Sequence, residues 1–396
     1  MIKRRQDNQA HFSRNTRNIG SSRARTQFGS GEKVRYAVVG LGHIAQNAVL
    51  PAFKHASKNS ELVALFSEDP KKLKELGRKY RVTRLGKYAD FTTELAAGGI
   101  NAVYVAEPNS RHREFTVKAA AQGAHVLCEK PLAVTERECE QMISACRKNN
   151  VKLMTAYRLH FERSNLEAIK VVRSGKIGDP RYFSSVFSMQ VRPGDIRVQK
   201  RMGGGTLYDL GVYCINAARY LFQSEPVEAM ALTESGPDKR FKEVEEMAGA
   251  LLRFPENRLA TFICSFGAAD IANYDIVGDK GVLQMKNGYE YSESIEMKII
   301  SDGKQQTKEF AKRDQFAAEL IYFSDCVLKD REPEPSGIEG YNDIRVVQAL
   351  YESSKTGKAV AIKGASKNKW PSMRQEIRRQ PVKKPELVNT QAPHQE

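Results

Sequence analysis

Residues 34–53, VRYAVVGLGHIAQNAVLPAF, constrain this chain more than any other stretch. An apolar run (34–39) ends on Gly40, a second glycine follows at Gly42, and His43 to Phe53 reads as a helix. Placed between a strand and a helix, G-x-G-x-x-A lets the backbone turn tightly and approach a pyrophosphate. The first turn of the helix then offers free N–H groups and the positive end of its dipole to that anion. Gly40, Gly42, His43 and Ile44 are therefore candidate cofactor-binding residues. Alone, the motif also fits a tight turn with no ligand. Here a second strand, ELVALF (61–66), follows at the spacing a dinucleotide fold requires.

From Val34 to about Ala156, apolar runs alternate with helical patterns. NAVYVA (101–106), AHVLCE (124–129) and VKLMTA (151–156) continue the strand series, with helices predicted at 43–54, 70–80, 111–122 and 135–149. The alternation predicts βαβ units, and the continuously apolar strands predict a parallel sheet covered on both faces. The second half changes character. After a helix near 162–174, strands dominate (181–191, 226–233, 246–254, 258–266, 274–278 and 294–301), several alternating apolar and polar residues. They predict a sheet with one buried face. Two late helices, 313–330 and 337–356, close the pattern. The fold class is α/β: an N-terminal Rossmann doubly wound parallel sheet plus a C-terminal α+β domain with an open, mainly antiparallel sheet. The expected domains are an arm (1–33), a dinucleotide-binding domain (34–156), a substrate and oligomerisation domain (157–364) and a tail (365–396).

The net charge of +16 suggests a polyanion partner until it is located. Residues 1–33 hold eight Lys/Arg against two Asp/Glu, and residues 363–396 hold eight against three. Both ends are rich in Asn, Gln and Ser, a composition that cannot bury enough apolar surface to order itself. They read as solvated or partner-ordered arms, with polyanion binding the alternative, and nucleic acid is not the expected partner. No apolar run is long enough to span a bilayer, and the basic start MIKRRQDNQ leads into no apolar signal core. Six cysteines without a CxxC pair or a zinc-ligand His predict buried free thiols, a reducing cytoplasmic compartment and no metal. His55, His125 and His160 show no ligand spacing. Trp370, the single tryptophan, sits in the tail, placed to dock on the body or a partner.

Three further motifs carry chemistry. At the end of the second strand, Ser67 precedes Glu68, Asp69, Lys71 and Lys72. A hydroxyl with nearby ammonium groups suits a 2′-phosphate, whereas Glu68 or Asp69 would suit a 2′-hydroxyl. NADP is the preferred cofactor and NAD the alternative. CEKPLA places Glu129, Lys130 and Pro131 at the C-terminal end of a strand, the edge where such sheets bind ligands. A lysine there polarises a carbonyl or stabilises an alkoxide; the plain alternative is a surface lysine before a turn. In GGGTLYDLGVYCINAARYL (203–221), Asp209 and Tyr213 are four apart and share a helix face. A carboxylate beside a phenol suits proton transfer with a substrate hydroxyl; a helix-cap Asp and a core tyrosine fit the same letters.

The three motifs in this order resemble the Gfo/Idh/MocA family, the relatives of glucose-fructose oxidoreductase and inositol dehydrogenase. The resemblance runs from about Val34 to Gly364, and its most specific parts are the glycine turn, EPNSRHREF (107–115), CEKPLA and GGGTLYDLGVY. It implies that Lys130 lies beside nicotinamide and substrate, that Pro131 is cis, and that Asp209 and Tyr213 are catalytic with Lys130. Tyrosine at 213 resembles the glucose-fructose oxidoreductase branch. That branch implies 2′-phosphate contacts from Ser67 and Lys72. It also implies substrate contacts from Tyr157 and Arg158, with Arg197 a further candidate. Pro108, Asn109, His112 and Glu129 complete the implied cofactor site. The family also implies an oligomer, dimer or tetramer, formed through the open sheet.

The function so implied is hydride transfer between NADP and a carbon of a sugar or polyol, an oxidoreductase acting on CH–OH groups. Two other readings stand beside it: a non-catalytic dinucleotide-binding sensor or scaffold, and an NAD-dependent glycosidase or epimerase on the same fold.

Overall fold

The computed structural model describes Gly29, residues 31–363 and residues 369–394. The chain divides into two compact units, Met1–Glu32 and Lys33–Glu396. In the first, the Gly29 N–H donates to the Glu32 carboxylate at 2.7 Å; residues 1–28 and 30 of the basic N-terminal arm lie outside the described residues. All that follows concerns the second unit.

Its first half winds β1 (Val34–Val39), α1 (Leu50–Ala56), β2 (Ser60–Phe66), α2 (Pro70–Tyr80), β3 (Arg84–Gly86), α3 (Phe91–Ala96), β4 (Ala102–Val105), α4 (His112–Ala121), β5 (His125–Glu129), α5 (Glu136–Lys148) and β6 (Leu153–Ala156). The strands form a six-stranded parallel sheet in the order β3-β2-β1-β4-β5-β6. Every residue of β4 is buried, as helices on both faces demand. The strand order reverses between β1 and β4. That switch point opens a crevice at the carboxyl ends of the strands, where the glycine turn lies.

The second half comprises α6 (Arg163–Arg173), β7 (Pro180–Ser188), α7 (Val212–Phe222), β8 (Glu228–Glu234), β9 (Met247–Phe254), β10 (Arg258–Ser265), β11 (Ile271–Gly278), β12 (Gly281–Lys286), β13 (Ile295–Ser301), β14 (Lys304–Phe310), α8 (Gln315–Leu328), α9 (Gly337–Thr356) and β15 (Val360–Ala361). Nine strands form a mixed sheet in the order β14-β13-β12-β11-β7-β10-β9-β8-β15, antiparallel except for the β7–β10 pair. β9 alternates buried and exposed residues, so one face carries the core and the other faces outward. The β9–β10 hairpin turns through the three residues 255–257, with Glu256 and Asn257 at φ 60° and 57° in the left-handed region.

The late helices tie this half to the parallel sheet. Ser324 on α8 is hydrogen-bonded to Tyr36 of β1 and Ser60 of β2. α9 packs between α5 and α7. Arg219 of α7 is fully buried and donates to Glu339 and Asp343 of α9 and to Glu225. A buried guanidinium needs such a full set of acceptors, and the set fixes α7 against α9.

The C-terminal segment, for which composition predicts a solvated arm, lies along the body from residue 369 to 394. Trp370 packs against the core of the mixed sheet. Gln375 donates to Glu334, and the Asp314 N–H donates to Arg379 O. Among the described residues no helix is long and apolar enough to cross a membrane, and all six cysteines are buried free thiols.

Candidate active site

The glycine turn sits at the end of β1. Gly40 has φ +89°, and a Cβ there would lie 2.6 Å from Ala106 O, so only glycine fits. A Cβ on Gly42 would meet no heavy atom within 4 Å: the space above it is open. The helical run begins at His43, passes through a wider turn at Ala45–Val49 and continues into α1. This open glycine floor before a helix fits a pyrophosphate. Burial, reinforced by the Arg197 guanidinium, pushes the His43 imidazole down to about 4, so it faces the crevice neutral.

The end of β2 separates the two readings of the ribose site. Asp69 Oδ1 accepts the Lys71 and Lys72 N–H groups and caps α2, and its Oδ2 accepts from Asn389. Glu68 accepts the Tyr88 N–H. Neither carboxylate lines the crevice, whereas Ser67 and Lys72 both do.

Past β4, Pro108 and Asn109 line the crevice, and the Asn109 amide donates to Gly203 O at 2.8 Å. His112 is fully buried, its ring nitrogens 2.9 Å from Pro131 O and 2.8 Å from Glu107 O. It braces the turn after β5, in which the Lys130–Pro131 peptide is cis. Glu129 accepts from the Tyr104 hydroxyl at 2.8 Å and the Lys130 N–H at 3.3 Å.

Gly203 passes close to Val134 and Asn109, where a Cβ would lie 2.5 Å and 2.8 Å from their side chains, and a wider helical turn, Leu207–Gly211, leads into α7. It delivers Asp209 to Lys130: Nζ donates to Oδ1 at 2.8 Å and to the Asp209 backbone O at 3.1 Å. Arg197 Nε donates to the other carboxylate oxygen at 2.7 Å. Burial opposes charge on Asp209, but Arg197 and Lys130 outweigh it and hold the carboxyl well below the usual range. Burial likewise opposes the Lys130 ammonium; Asp209, and then Tyr213, keep its pKa above the ordinary value.

Tyr213, one turn on, lies between two cations. Lys130 Nζ is 4.7 Å from its ring centroid and Arg158 Cζ is 5.2 Å away. Arg158 is itself pinned by Gln315 Oε1 at 2.5 Å and by the Tyr289 carbonyl. All these groups line one cavity of about 1330 Å³, which runs from Ser67 past the glycine turn to Tyr213.

The structure thus brings together every candidate site residue but one. Tyr157 is buried, stacked on His160 at 5.6 Å within the core of the second half, and does not line the cavity. Tyr157, just before the helical turn at Arg158–His160, packs into the core, while Arg158 lines the cavity. Sequence reasoning missed Arg192, Tyr289, Tyr291, Gln315 and the segment 389–394, which also line it. None carries a local pattern; only the fold gathers them. Glu107, which accepts from Tyr88 and pairs with Arg111, stood inside a motif already singled out.

This is the architecture of a nicotinamide-dinucleotide-dependent oxidoreductase acting on CH–OH groups. Residues 34–157 match the family model described as an oxidoreductase family with an NAD-binding Rossmann fold, and residues 165–284 match the GFO/IDH/MocA C-terminal domain. The chain belongs to the Gfo/Idh/MocA oxidoreductase family.

Among solved structures, the aldose-aldose oxidoreductase of Caulobacter crescentus, complexed with glycerol, is 36% identical with a TM-score of 0.80. The match covers 83% of this chain and 100% of that one. A 3-ketoreductase from Actinomadura kijaniata, in complex with NADP and TDP-benzene, is 26% identical with a TM-score of 0.74, covering 81% and 98%. Among curated proteins, the NADP(+) D-xylose 1-dehydrogenase of Haloarcula marismortui is 28% identical over 337 residues, covering 83% of this chain and 93% of that one.

Proposed function

We propose that this protein transfers a hydride between C4 of NADP and a hydroxyl-bearing carbon of a sugar or polyol. The observation that carries the reading is the convergence of Lys130, Asp209 and Tyr213 at one end of the cavity whose other end is the glycine floor. The relatives named above, which act on aldoses, xylose or a keto group, favour a carbohydrate.

The bound nicotinamide would supply the hydride acceptor or donor. Gly40, Gly42, His43 and Ile44 would hold its pyrophosphate, Ser67 and Lys72 the 2′-phosphate, and Pro108, Asn109, His112 and Glu129 would shape the nicotinamide end. Asp209 fixes the Lys130 ammonium, which hydrogen-bonds the substrate oxygen and favours its anionic form in the transition state. Tyr213 takes the hydroxyl proton during oxidation and returns it during reduction. Arg158 and Lys130 lie over the phenol ring, so the proton transfer takes place beside two fixed positive charges. Arg197 holds the far carboxylate oxygen and keeps Asp209 from rotating away.

The NADP preference rests on the end of β2. Both carboxylates that could serve a 2′-hydroxyl are committed to protein groups, while Ser67 and Lys72 face the cavity. Reduction of NADP and NAD is measured across aldoses, polyols and sugar acids. Turnover of at least one carbohydrate with higher kcat/KM for NADP supports the reading; failure of every carbohydrate, with intact dinucleotide binding, sinks it.

The outer face of the mixed sheet supports a homo-oligomer. Tyr182, Val186, Leu232, Leu251, Leu259 and Ile263 are exposed there on neighbouring strands. A monomer seldom leaves such a continuous apolar face to water, and a second copy can cover it isologously. Ile263→Glu with Leu232→Lys should reduce the mass seen by light scattering. An unchanged oligomer would remove this face from consideration.

A further inference from the structure

The segment 388–394 belongs to neither matched family region, and the site as read so far does not use it. Yet it crosses the crevice and is fastened on both sides. On the near side Gln46, buried in the helical run after the glycine turn, grips the backbone of Val388: its Nε2 donates to Val388 O at 2.9 Å, and the Val388 N–H donates to its Oε1 at 2.7 Å. The same Nε2 donates to Leu41 O at 2.9 Å, which ties the grip to the glycine turn itself. One residue on, Asn389 donates to Asp69 at 3.1 Å, beside the end of β2. On the far side the Arg192 N–H donates to Pro393 O at 2.9 Å, and Val191 and His394 form a β-bridge, just beyond the end of β7.

Beneath this span the cavity stays open. Gly42 and His43 line its floor, while Asn389, Thr390, Pro393 and His394 line the same cavity from the segment. Its volume of about 1330 Å³ exceeds the roughly 300–1,000 Å³ of ordinary small-ligand sites. The segment therefore roofs the crevice and does not fill it.

We propose that residues 388–394 are a strap that closes over the dinucleotide and holds it in the cradle between turnovers. The inference rests on the reading of the cradle as a dinucleotide site. Release then requires the Gln46–Val388 grip to open, so the strap slows departure more than it weakens chemistry. Asn389 and His394 become part of the wall around the cofactor, placed there by the chain terminus and not by the glycine turn.

The test compares the full chain, a chain ending at Pro381, and the full chain with Gln46→Met, which removes the amide grip and keeps an apolar side chain of similar length. Bound NADPH is displaced by excess NADP in a stopped-flow fluorimeter, and circular dichroism melts establish that each variant folds. The strap predicts release at least about tenfold faster in both variants than in the full chain, with a smaller change in association. Release within about twofold of the full chain in both variants overturns the strap. So does binding of NADPH by the truncated chain and not by the full one, because the segment then blocks the cradle. If the truncated chain does not fold, Gln46→Met decides alone. Failure of the full chain and of every folded variant to bind NADPH or NADH removes the dinucleotide reading itself, a result distinct from equal release rates.

Discussion

Lys130, at the end of β5, and Asp209, in the turn that opens α7, are joined by two hydrogen bonds from a single ammonium, 2.8 Å to the carboxylate and 3.1 Å to the backbone carbonyl. The pair bridges the two halves of the molecule at the bottom of the cavity. Its geometry needs no substrate to form, so the ammonium is already aimed when a hydroxyl arrives, and no reorganisation is required as charge develops.

Lys130→Met should therefore affect both chemistry and fold. Loss of a preorganised donor lowers kcat by about 10²–10³-fold. Asp209 keeps Arg197, so the carboxylate is not stranded, and the stability loss should stay near 1–3 kcal/mol. Turnover and urea denaturation of the same variant check both. A variant with normal kcat would exclude Lys130 from the transition state.

Tyr213→Phe isolates the proton. The ring keeps its edge-on packing against Phe187, 5.6 Å away, and its place beside Lys130. General acid–base catalysis contributes about 10²–10⁴-fold, so kcat should drop within that range. NADP affinity, set at the other end of the cavity, should hold. Full activity in the phenylalanine variant would exclude Tyr213 as the proton-transfer residue.

The elements that were legible in the sequence are those whose physics is local. The glycine turn needs φ > 0 at one residue and open space at another, and both demands show as glycines. Five of the six strands of the parallel sheet read as apolar runs; the edge strand β3, RLG, is short and partly exposed and carries no such pattern. β14 could not be read that way: all but its last residue are exposed, and KQQTKE has no apolar period. Its existence depends on β13 beside it. The return of α8 to the parallel sheet is likewise tertiary, carried by single hydroxyls such as Ser324. The path of the C-terminal segment is not legible because composition reports only whether a segment can bury its own side chains. Here the backbone of Val388 and Pro393 supplies the partners, and the body supplies Gln46 and Arg192. The side to which Tyr157 faces is not legible because a motif fixes neighbours in sequence and not which way each one points.

Lys72→Ala tests cofactor choice. Lys72 lines the same cavity as Ser67, at the end proposed for a 2′-phosphate. A charge-assisted hydrogen bond contributes about 1.5–3 kcal/mol, so NADP affinity should fall by roughly 10–100-fold. NAD, without that phosphate, should bind as before. Fluorescence titration with both reduced cofactors measures the ratio. Equal losses for the two would show that Lys72 supports the fold or the pyrophosphate and does not read the 2′ position.

The last prediction concerns acid stability and rests on His125, at the start of β5. Its Nδ1 accepts the Lys152 N–H at 3.0 Å, a bond only the unprotonated nitrogen can make. Burial, reinforced by the Lys152 ammonium, pushes its pKa down to about 4 from the ordinary 6.5. Between those two values the unfolded chain takes up the proton and the folded chain does not. The stability contributed by the neutral ring is complete above pH 6.5 and is lost as pH falls toward 4. His43, lowered to about 4 by burial, acts in the same direction. Thermal midpoints should thus decline from pH 6.5 to pH 4, and His125→Asn, whose amide oxygen can accept the same N–H, should make that decline shallower. An identical slope in wild type and variant would mean that the β5–β6 contact tolerates the charged ring.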